Sequence, residues 1–259
     1  IVFFCYFKSS YSIAFILFLT LRKNKLINYS SKIKKNCIVL DKSFGIDDLQ
    51  SAFKNTKSNI QFYMLQRILI RKMFNFYFRD VDEKKFGSEQ YISNDKKVKI
   101  TKLQYKNFIK EILINLNKFI KIDGFISFNP FYVAERELQN ACADLNINFL
   151  VCHKEGIVFG KVNKIRKNYW RERYGNINIK ALSVYNKYTK KAFIDSKIIT
   201  ENKISVIGLP RSDEYFISKN KINENYILFL MVQNTAGLPY PGGEWYTKGI
   251  TGKYKKVNF

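Results

Sequence analysis

The one histidine of the sequence, His153, directly follows an apolar run at residues 148–152. After it come Lys154, Glu155 and Gly156, which supply a cation, a carboxylate and a residue that permits a tight turn. Imidazole is the side chain best suited to move a proton near neutral pH. We predict His153 as a general base, Lys154 and Glu155 as ligands for anionic and hydroxyl groups, and Gly156 as a backbone position of the same substrate site. The alternative is a loop histidine in a polar turn.

Two more polar segments follow apolar runs in the same way. Asn129 lies in a Ser-Phe-Asn-Pro segment, and Arg211 and Asp213 lie in a Gly-Leu-Pro-Arg-Ser-Asp segment. We predict Asn129 either as a substrate ligand or as the N-cap of the next helix, with Pro130 in its first turn. We expect Arg211 to bind a phosphate or other acceptor charge. The alternative for Arg211 is a structural pair with Asp213.

The elements that must position these residues alternate between strand and helix. Short apolar runs predict strands at residues 1–7, 37–41, 60–63, 124–128, 148–152, 181–185 and 203–207. Helical spacing of apolar residues predicts helices near residues 11–21, 47–53, 65–76, 108–120, 134–145, 164–174 and 187–193. This alternation predicts an α/β fold with a doubly wound, mostly parallel, Rossmann-like sheet. Ligands of such sheets bind at the carboxyl ends of the strands, where all three polar segments fall.

Charged residues of the predicted helices are expected to face solvent. Arg67, Arg71 and Lys72 form the polar side of one helix, and the Glu-Arg-Glu run at residues 135–137 begins another. Residues 80–99 lose periodicity and gain charge, which predicts an irregular surface segment.

The composition restricts the class of protein. Apolar residues make up 46% of the 259 residues, which excludes disordered, collagen-like and disulfide-scaffold chains. A net charge of +24 points to nucleic acid or an anionic membrane. The lysines are dispersed, however, and the aromatic residues occupy periodic core positions, so nucleic acid is disfavoured as a partner.

The cysteines and the N-terminal residues bear on the compartment. Four widely separated cysteines suggest neither a metal site nor a disulfide framework, and they favour a reducing, cytoplasmic environment. The longest uncharged stretch near the N-terminus, residues 9–21, has 13 residues, whereas a membrane span needs about 20. We therefore expect a core strand and helix in residues 1–21, with a membrane anchor or signal segment as the alternative.

The Gly-Leu-Pro-Arg-Ser-Asp turn at residues 208–213 resembles the segment that closes the N-terminal domain of two-domain transferases of bacterial surface-polymer synthesis. The families concerned are capsule or surface polysaccharide glycosyltransferases and CDP-glycerol glycerophosphotransferases, which share the GT-B architecture. In the glycerophosphotransferases a strand precedes a Trp-His-Gly turn whose histidine is taken as the base. Cys152 and His153 stand at the comparable place here, with Cys instead of Trp and with Lys154 and Glu155 before Gly156.

This resemblance implies an N-terminal acceptor-side domain at residues 1–215. It also implies the start of a donor-binding domain at residues 216–259, with a first strand at 226–232 and the rest of that domain missing. Because the chain begins with Ile rather than Met and ends in a Gly- and Lys-rich stretch after a new strand, we expect a fragment at both ends. The sequence has neither a GxGxxG nor a GxxxxGK[ST] phosphate loop. The implied enzyme has no cofactor or metal: a nucleotide-linked donor is its substrate, and a glycan or lipid-linked molecule is its acceptor.

We further expect a cytoplasmic protein that associates peripherally with the inner face of the plasma membrane, with basic residues 54–72 against anionic lipid. The alternative function is a non-catalytic basic module that binds an anionic membrane or RNA.

Overall fold

The chain forms two compact units, Ile1–Ile217 and Ser218–Phe259. The computed structural model describes residues 1–25, 27, 29–30, 32, 34–42, 45–53, 57–82, 86–87, 90–154, 162–212, 246–248 and 254–256. The strand predicted at residues 226–232 lies outside these described residues.

The first unit contains a seven-stranded sheet, and its strand order confirms the doubly wound α/β fold. The order is β1-β3-β2-β4-β5-β6-β7, and every neighbouring pair is parallel except β1 with β3. The strands are β1 (Arg22–Lys23), β2 (Lys35–Asp41), β3 (Ile60–Gln66), β4 (Gly124–Ser127), β5 (Asn148–Cys152), β6 (Ala181–Val184) and β7 (Ile204–Val206). In the second unit, β8 (Tyr246–Lys248) pairs with β9 (Tyr254–Lys256) in antiparallel orientation.

Helices cover both faces of the sheet. They are α1 (Val2–Tyr6), α2 (Ser10–Thr20), α3 (Gly45–Ala52), α4 (Arg67–Tyr77), α5 (Lys96–Phe119), α6 (Val133–Asp144), α7 (Val162–Tyr174) and α8 (Lys187–Asp195). Successive side chains of a strand point to opposite faces. Ile38 and Leu40 of β2 accordingly join the larger core, and Cys37 and Val39 join a smaller core that contains Leu49 of α3.

The order of the strands reverses at β2. From β2 the chain passes outward to β3, and it then returns to β4 on the other side of β2. Open parallel sheets bind ligands in the crevice at such a switch point, beyond the carboxyl ends of the strands. Gly45 and Phe128 meet here, because a Cβ atom on Gly45 would lie 2.3 Å from Cγ of Phe128. A glycine at the start of α3 is therefore what allows this close approach.

Two sequence predictions are wrong at this level. Residues 1–7 form helix α1 rather than a strand, and only Cys5 of this helix is buried. A short apolar run without periodicity fits either element, and here it packs beside α2 and α4 instead of extending the sheet. Helix α5 begins at Lys96, inside the segment predicted as irregular, because the Asp95 side chain accepts hydrogen bonds from the backbone N–H groups of residues 97 and 98.

No helix among the described residues combines the length and the apolarity that a bilayer crossing requires.

Candidate functional site

Four of the seven residues that the sequence singles out as site residues follow the carboxyl ends of the parallel strands. Asn129 follows β4, His153 and Lys154 follow β5, and Arg211 lies in a 3₁₀ turn, Pro210–Ser212, after β7. The other three predicted site residues, Glu155, Gly156 and Asp213, lie outside the described part of the chain.

His153 is held between aromatic rings at the end of β5. Its backbone N–H donates to the carbonyl of Ser183 at 2.8 Å, which extends the pairing of β5 with β6 by one residue. Its side chain is 4% exposed and lies edge-on to Phe193 and Phe131, with ring centroids 5.3 and 6.4 Å away. The backbone hydrogen bond and the ring packing therefore restrict the orientation of the imidazole.

Lys154 and Asn129 support the loops that leave β5 and β4. The backbone N–H of Lys154 donates to the carbonyl of Phe128 at 3.1 Å, and Lys154 is half-buried. Asn129 is buried, and its Oδ1 accepts from the backbone N–H of Phe131 at 2.8 Å. Asn129 is therefore not the N-cap of α6. The cap is Tyr132, because the Asn129 side chain closes a turn of its own before the helix begins.

Glu135 is fully buried behind this edge, contrary to the predicted solvent-facing position. Its carboxylate accepts hydrogen bonds from Ser127 Oγ and Arg67 Nε. Burial raises the pKa of Glu135, and the Arg67 charge and the Ser127 hydrogen bond act in the opposite direction. The Arg67 guanidinium, predicted on an exposed face, also lies 3.6 Å from the ring centroid of Tyr132. Arg67 is therefore held against the core by a buried carboxylate and an aromatic ring.

The next two residues of α6, Arg136 and Glu137, are also buried rather than solvated. Arg136 Nη2 donates to the carbonyls of Asn176, at 2.6 Å, and Tyr174, at 3.1 Å. Glu137 accepts a hydrogen bond from Tyr91 Oη at 2.7 Å. The sequence held one indication that residues 135–137 are buried: they lie in a helix with an apolar face, in a chain that has 45 basic and only 21 acidic residues. The two carboxylates of these residues are natural partners for buried cations.

Asp48 of α3 is a site residue that the sequence reading missed. It is 6% exposed, it accepts a hydrogen bond from Tyr185 Oη, and its Oδ1 lies 3.5 Å from Nη1 of Arg211. Burial raises the pKa of Tyr185, and the Asp48 carboxylate adds to this shift. Asp48 therefore orients Arg211 toward the carboxyl ends of the strands. The alternative partner expected from the sequence, Asp213, lies outside the described residues.

Cations cluster where the strand order reverses. Lys42, directly after β2, has its ammonium 5.9 Å from the ring centroid of Tyr132, and Arg67 begins α4 directly after β3. The exits of β2, β3 and β4 therefore meet around one tyrosine flanked by two cations. Such a combination suits an anionic group with an apolar portion.

The described residues include no group of three or more histidine, cysteine, aspartate or glutamate side chains that could hold a metal ion. The cysteines are free thiols. The sequence matches no protein-family model, and a search of curated proteins finds no significant similarity.

Proposed function

We propose that this chain is part of a transferase that moves a sugar or polyol phosphate from a nucleotide-activated donor to an acceptor hydroxyl in bacterial capsule or surface polysaccharide synthesis. The first unit would bind the acceptor, and the site that binds the donor would lie in a second domain. The observation that carries the proposal is the position of His153, which is fixed at the carboxyl end of β5 in a Rossmann-like sheet. The resemblance of the segments at His153 and Arg211 to such transferases supports it.

In this proposal His153 removes the proton of the acceptor hydroxyl as the oxygen attacks the donor. The bond from the donor to its leaving nucleotide breaks, and the nucleotide departs with the electron pair. Lys154 and Arg211 would hold donor or acceptor phosphate charge at the same edge of the sheet. Asp48 contributes by fixing the direction of Arg211.

The test is the His153→Ala change in the full-length protein, assayed against a panel of nucleotide-linked sugars and polyols. We expect turnover to fall by about 10²–10⁴, the usual effect of losing an acid–base group, and to recover partly when imidazole is added. Lys187→Ala, an exposed change at the start of α8, is the control and should leave turnover unchanged. Turnover of His153→Ala within about tenfold of wild type would remove His153 from the mechanism.

A second candidate function, binding to an anionic membrane surface, is favoured by the outer face of α1 and α2. Seven large apolar or aromatic side chains on these helices and on the C-cap of α1 are between 44% and 68% exposed: Val2, Phe3, Tyr6, Phe7, Tyr11, Phe15 and Leu19. Lys8, Arg22 and Lys23 beside them are exposed cations. Aromatic rings next to basic residues are typical of helices that lie in the interface of anionic bilayers.

This association would place a cytoplasmic enzyme near a lipid-linked acceptor at the inner face of the plasma membrane. The measurement is co-sedimentation with vesicles of neutral lipid and of neutral lipid mixed with phosphatidylglycerol. Binding should require the anionic lipid, and the pair Phe7→Ser and Phe15→Ser should reduce it, whereas Leu103→Ser, at an exposed position of α5, should not. Equal binding by all variants, or a dimer that the same pair of changes dissociates, would assign this face another partner.

A further inference from the structure

A groove of about 870 Å³ lies beside α4 and the start of α6. This volume falls in the range of about 300–1,000 Å³ that is usual for small-molecule sites. Its lining includes the three arginines Arg67, Arg71 and Arg79 and the aromatic residues Phe74, Phe78 and Tyr132. We call it the arginine groove.

The helical spacing of residues along α4 accounts for both the cationic and the aromatic lining of the arginine groove. Arg67 and Arg71 are four residues apart, so they lie on one side of the helix, one turn from each other. Phe74 and Phe78 have the same spacing, and their rings stack with centroids 4.6 Å apart. Phe78 in turn stacks on Phe86 at 4.6 Å. The arginine groove therefore has a row of cations next to a continuous aromatic wall.

The three arginines are not equivalent. Arg67 is bound by buried Glu135 and covered by the Tyr132 ring. Arg79 lies 4.8 Å from the Phe76 ring centroid and 3.4 Å from an oxygen of Asp80. Arg71 is exposed and has no ion-pair partner among the described residues. Arg71 is therefore the cation with charge to offer a ligand, and the other two are held in place by the protein.

The described lining of the arginine groove includes no carboxylate side chain. The exposed guanidinium of Arg71 favours an anion, and the planar fork of arginine binds phosphate oxygens in pairs. A bare inorganic ion would leave most of the 870 Å³ unfilled. The aromatic wall supplies a surface on which a base or an alkyl chain can pack.

We propose that the arginine groove binds an organic phosphate, with the phosphate on Arg71 between Arg67 and Arg79 and the body of the ligand against Phe74, Phe78 and Tyr132. A nucleoside diphosphate and an alkyl phosphate share this chemistry. The site does not depend on the proposed transfer reaction. It is nevertheless next to His153, because Phe131 lines the arginine groove and also packs edge-on against the imidazole.

The experiment is isothermal titration of the whole 259-residue chain at low ionic strength with uridine diphosphate, decyl phosphate below its micellar concentration, and inorganic pyrophosphate. We expect one of the two organic phosphates to bind at least about tenfold more tightly than pyrophosphate. The identity of that probe tells whether the natural ligand is a soluble nucleotide or the phosphate of a lipid.

Variants at two neighbouring positions distinguish binding at a defined site from general electrostatic attraction to a basic surface. Arg71→Ala should weaken binding at least about tenfold, and Arg71→Lys should have an intermediate effect because it keeps the charge and loses the fork. Lys72→Ala removes an exposed cation that does not line the arginine groove, and it should weaken binding less than about twofold.

Three results would overturn the proposal: equal losses for Arg71→Ala and Lys72→Ala, equal affinity for pyrophosphate and the organic phosphates, or no binding of any probe up to about 1 mM. The titration measures binding without turnover, and Arg71 has no role in the proposed transfer, so failure of the transfer mechanism and failure of the arginine groove are distinguishable.

Discussion

Arg211 and Asp48 join two parts of the fold that are remote in the chain. Nη1 of Arg211, after the last strand of the sheet, lies 3.5 Å from Oδ1 of Asp48 in the helix that follows β2. The other oxygen of the same carboxylate accepts a hydrogen bond from Tyr185, which follows β6. One buried carboxylate therefore ties α3 to the ends of two strands and orients a cation at the candidate site.

Removing the hydroxyl of Tyr185 should cost more than removing the charge of Arg211. Tyr185→Phe deletes a hydrogen bond to a buried carboxylate, so we expect the free energy of unfolding to fall by about 1–2 kcal/mol. Arg211→Ala should cost about 1 kcal/mol or less, because its side chain is 34% exposed and water screens the pair. Urea titrations measure both changes. Tyr188→Phe, at an exposed tyrosine, is the control and should be neutral.

Arg67 and Arg71 should differ sharply in their effect on stability, although they are one turn apart on α4. Arg67→Leu leaves the fully buried Glu135 carboxylate without its cation, which should lower the free energy of unfolding by about 3–5 kcal/mol at pH 7. Arg71→Leu, at an exposed position, should change it by about 0.5 kcal/mol or less.

The loss in Arg67→Leu should also depend on pH. Burial raises the pKa of Glu135 above that of the unfolded chain, so the folded protein takes up the extra proton as the pH falls. Protonation removes the uncompensated charge, and the destabilisation should therefore be smaller at pH 5 than at pH 7. A loss of the same size at both values would contradict the assignment of a buried, charged Glu135.

Lys102 should make stability rise with pH in the alkaline range. Its ammonium lies 3.6 Å from the ring centroid of Tyr91, and burial lowers the pKa of Lys102 to about 8. The unfolded chain keeps a lysine pKa of about 10.4, so it binds more protons between these values, and raising the pH there favours the folded state. Wild type should gain stability relative to Lys102→Met from pH 8 to pH 10 in urea titrations.

Gly45 should not tolerate a side chain while Phe128 is present. A Cβ atom there would overlap a fully buried ring, so Gly45→Ala should cost about 1–3 kcal/mol through overpacking. Phe128→Leu should cost less in the Gly45→Ala background than in wild type, because it relieves the overlap. A double-mutant cycle measured by thermal unfolding tests this coupling, and purely additive losses would mean that α3 moves away instead.

The sheet and the places where it presents polar residues could be predicted from the sequence because both are local patterns. The apolar runs before Asn129 and His153 predict strands, and parallel pairing then fixes which ends meet. The apolar run at residues 1–7 failed because a run without polar alternation has no period to read, and strand or helix is decided by what it packs against.

The polar core could not be predicted from helix periodicity. Glu135 and Arg136 look like surface residues until the positions of Arg67 and Asn176 are known, and these partners come from distant elements. The spacing of residues along the sequence does not predict long-range pairs such as Arg211 with Asp48, because each residue alone also fits a solvent-exposed turn or helix. The free-energy cost of burying such a charge, and the partner that offsets it, can be assessed only once the fold shows where both charges lie.

The short strand β1 has a consequence for association between copies of the protein. It pairs Arg22 with Met64 and Lys23 with Tyr63 along the outer side of β3. An uncovered β3 would offer its free backbone groups to another chain, which is how sheets join edge to edge and aggregate. Two adjacent cations now occupy that position, and a second copy approaching the same side would bring two more. Like-charge repulsion between these residues therefore opposes edge-to-edge pairing at this part of β3.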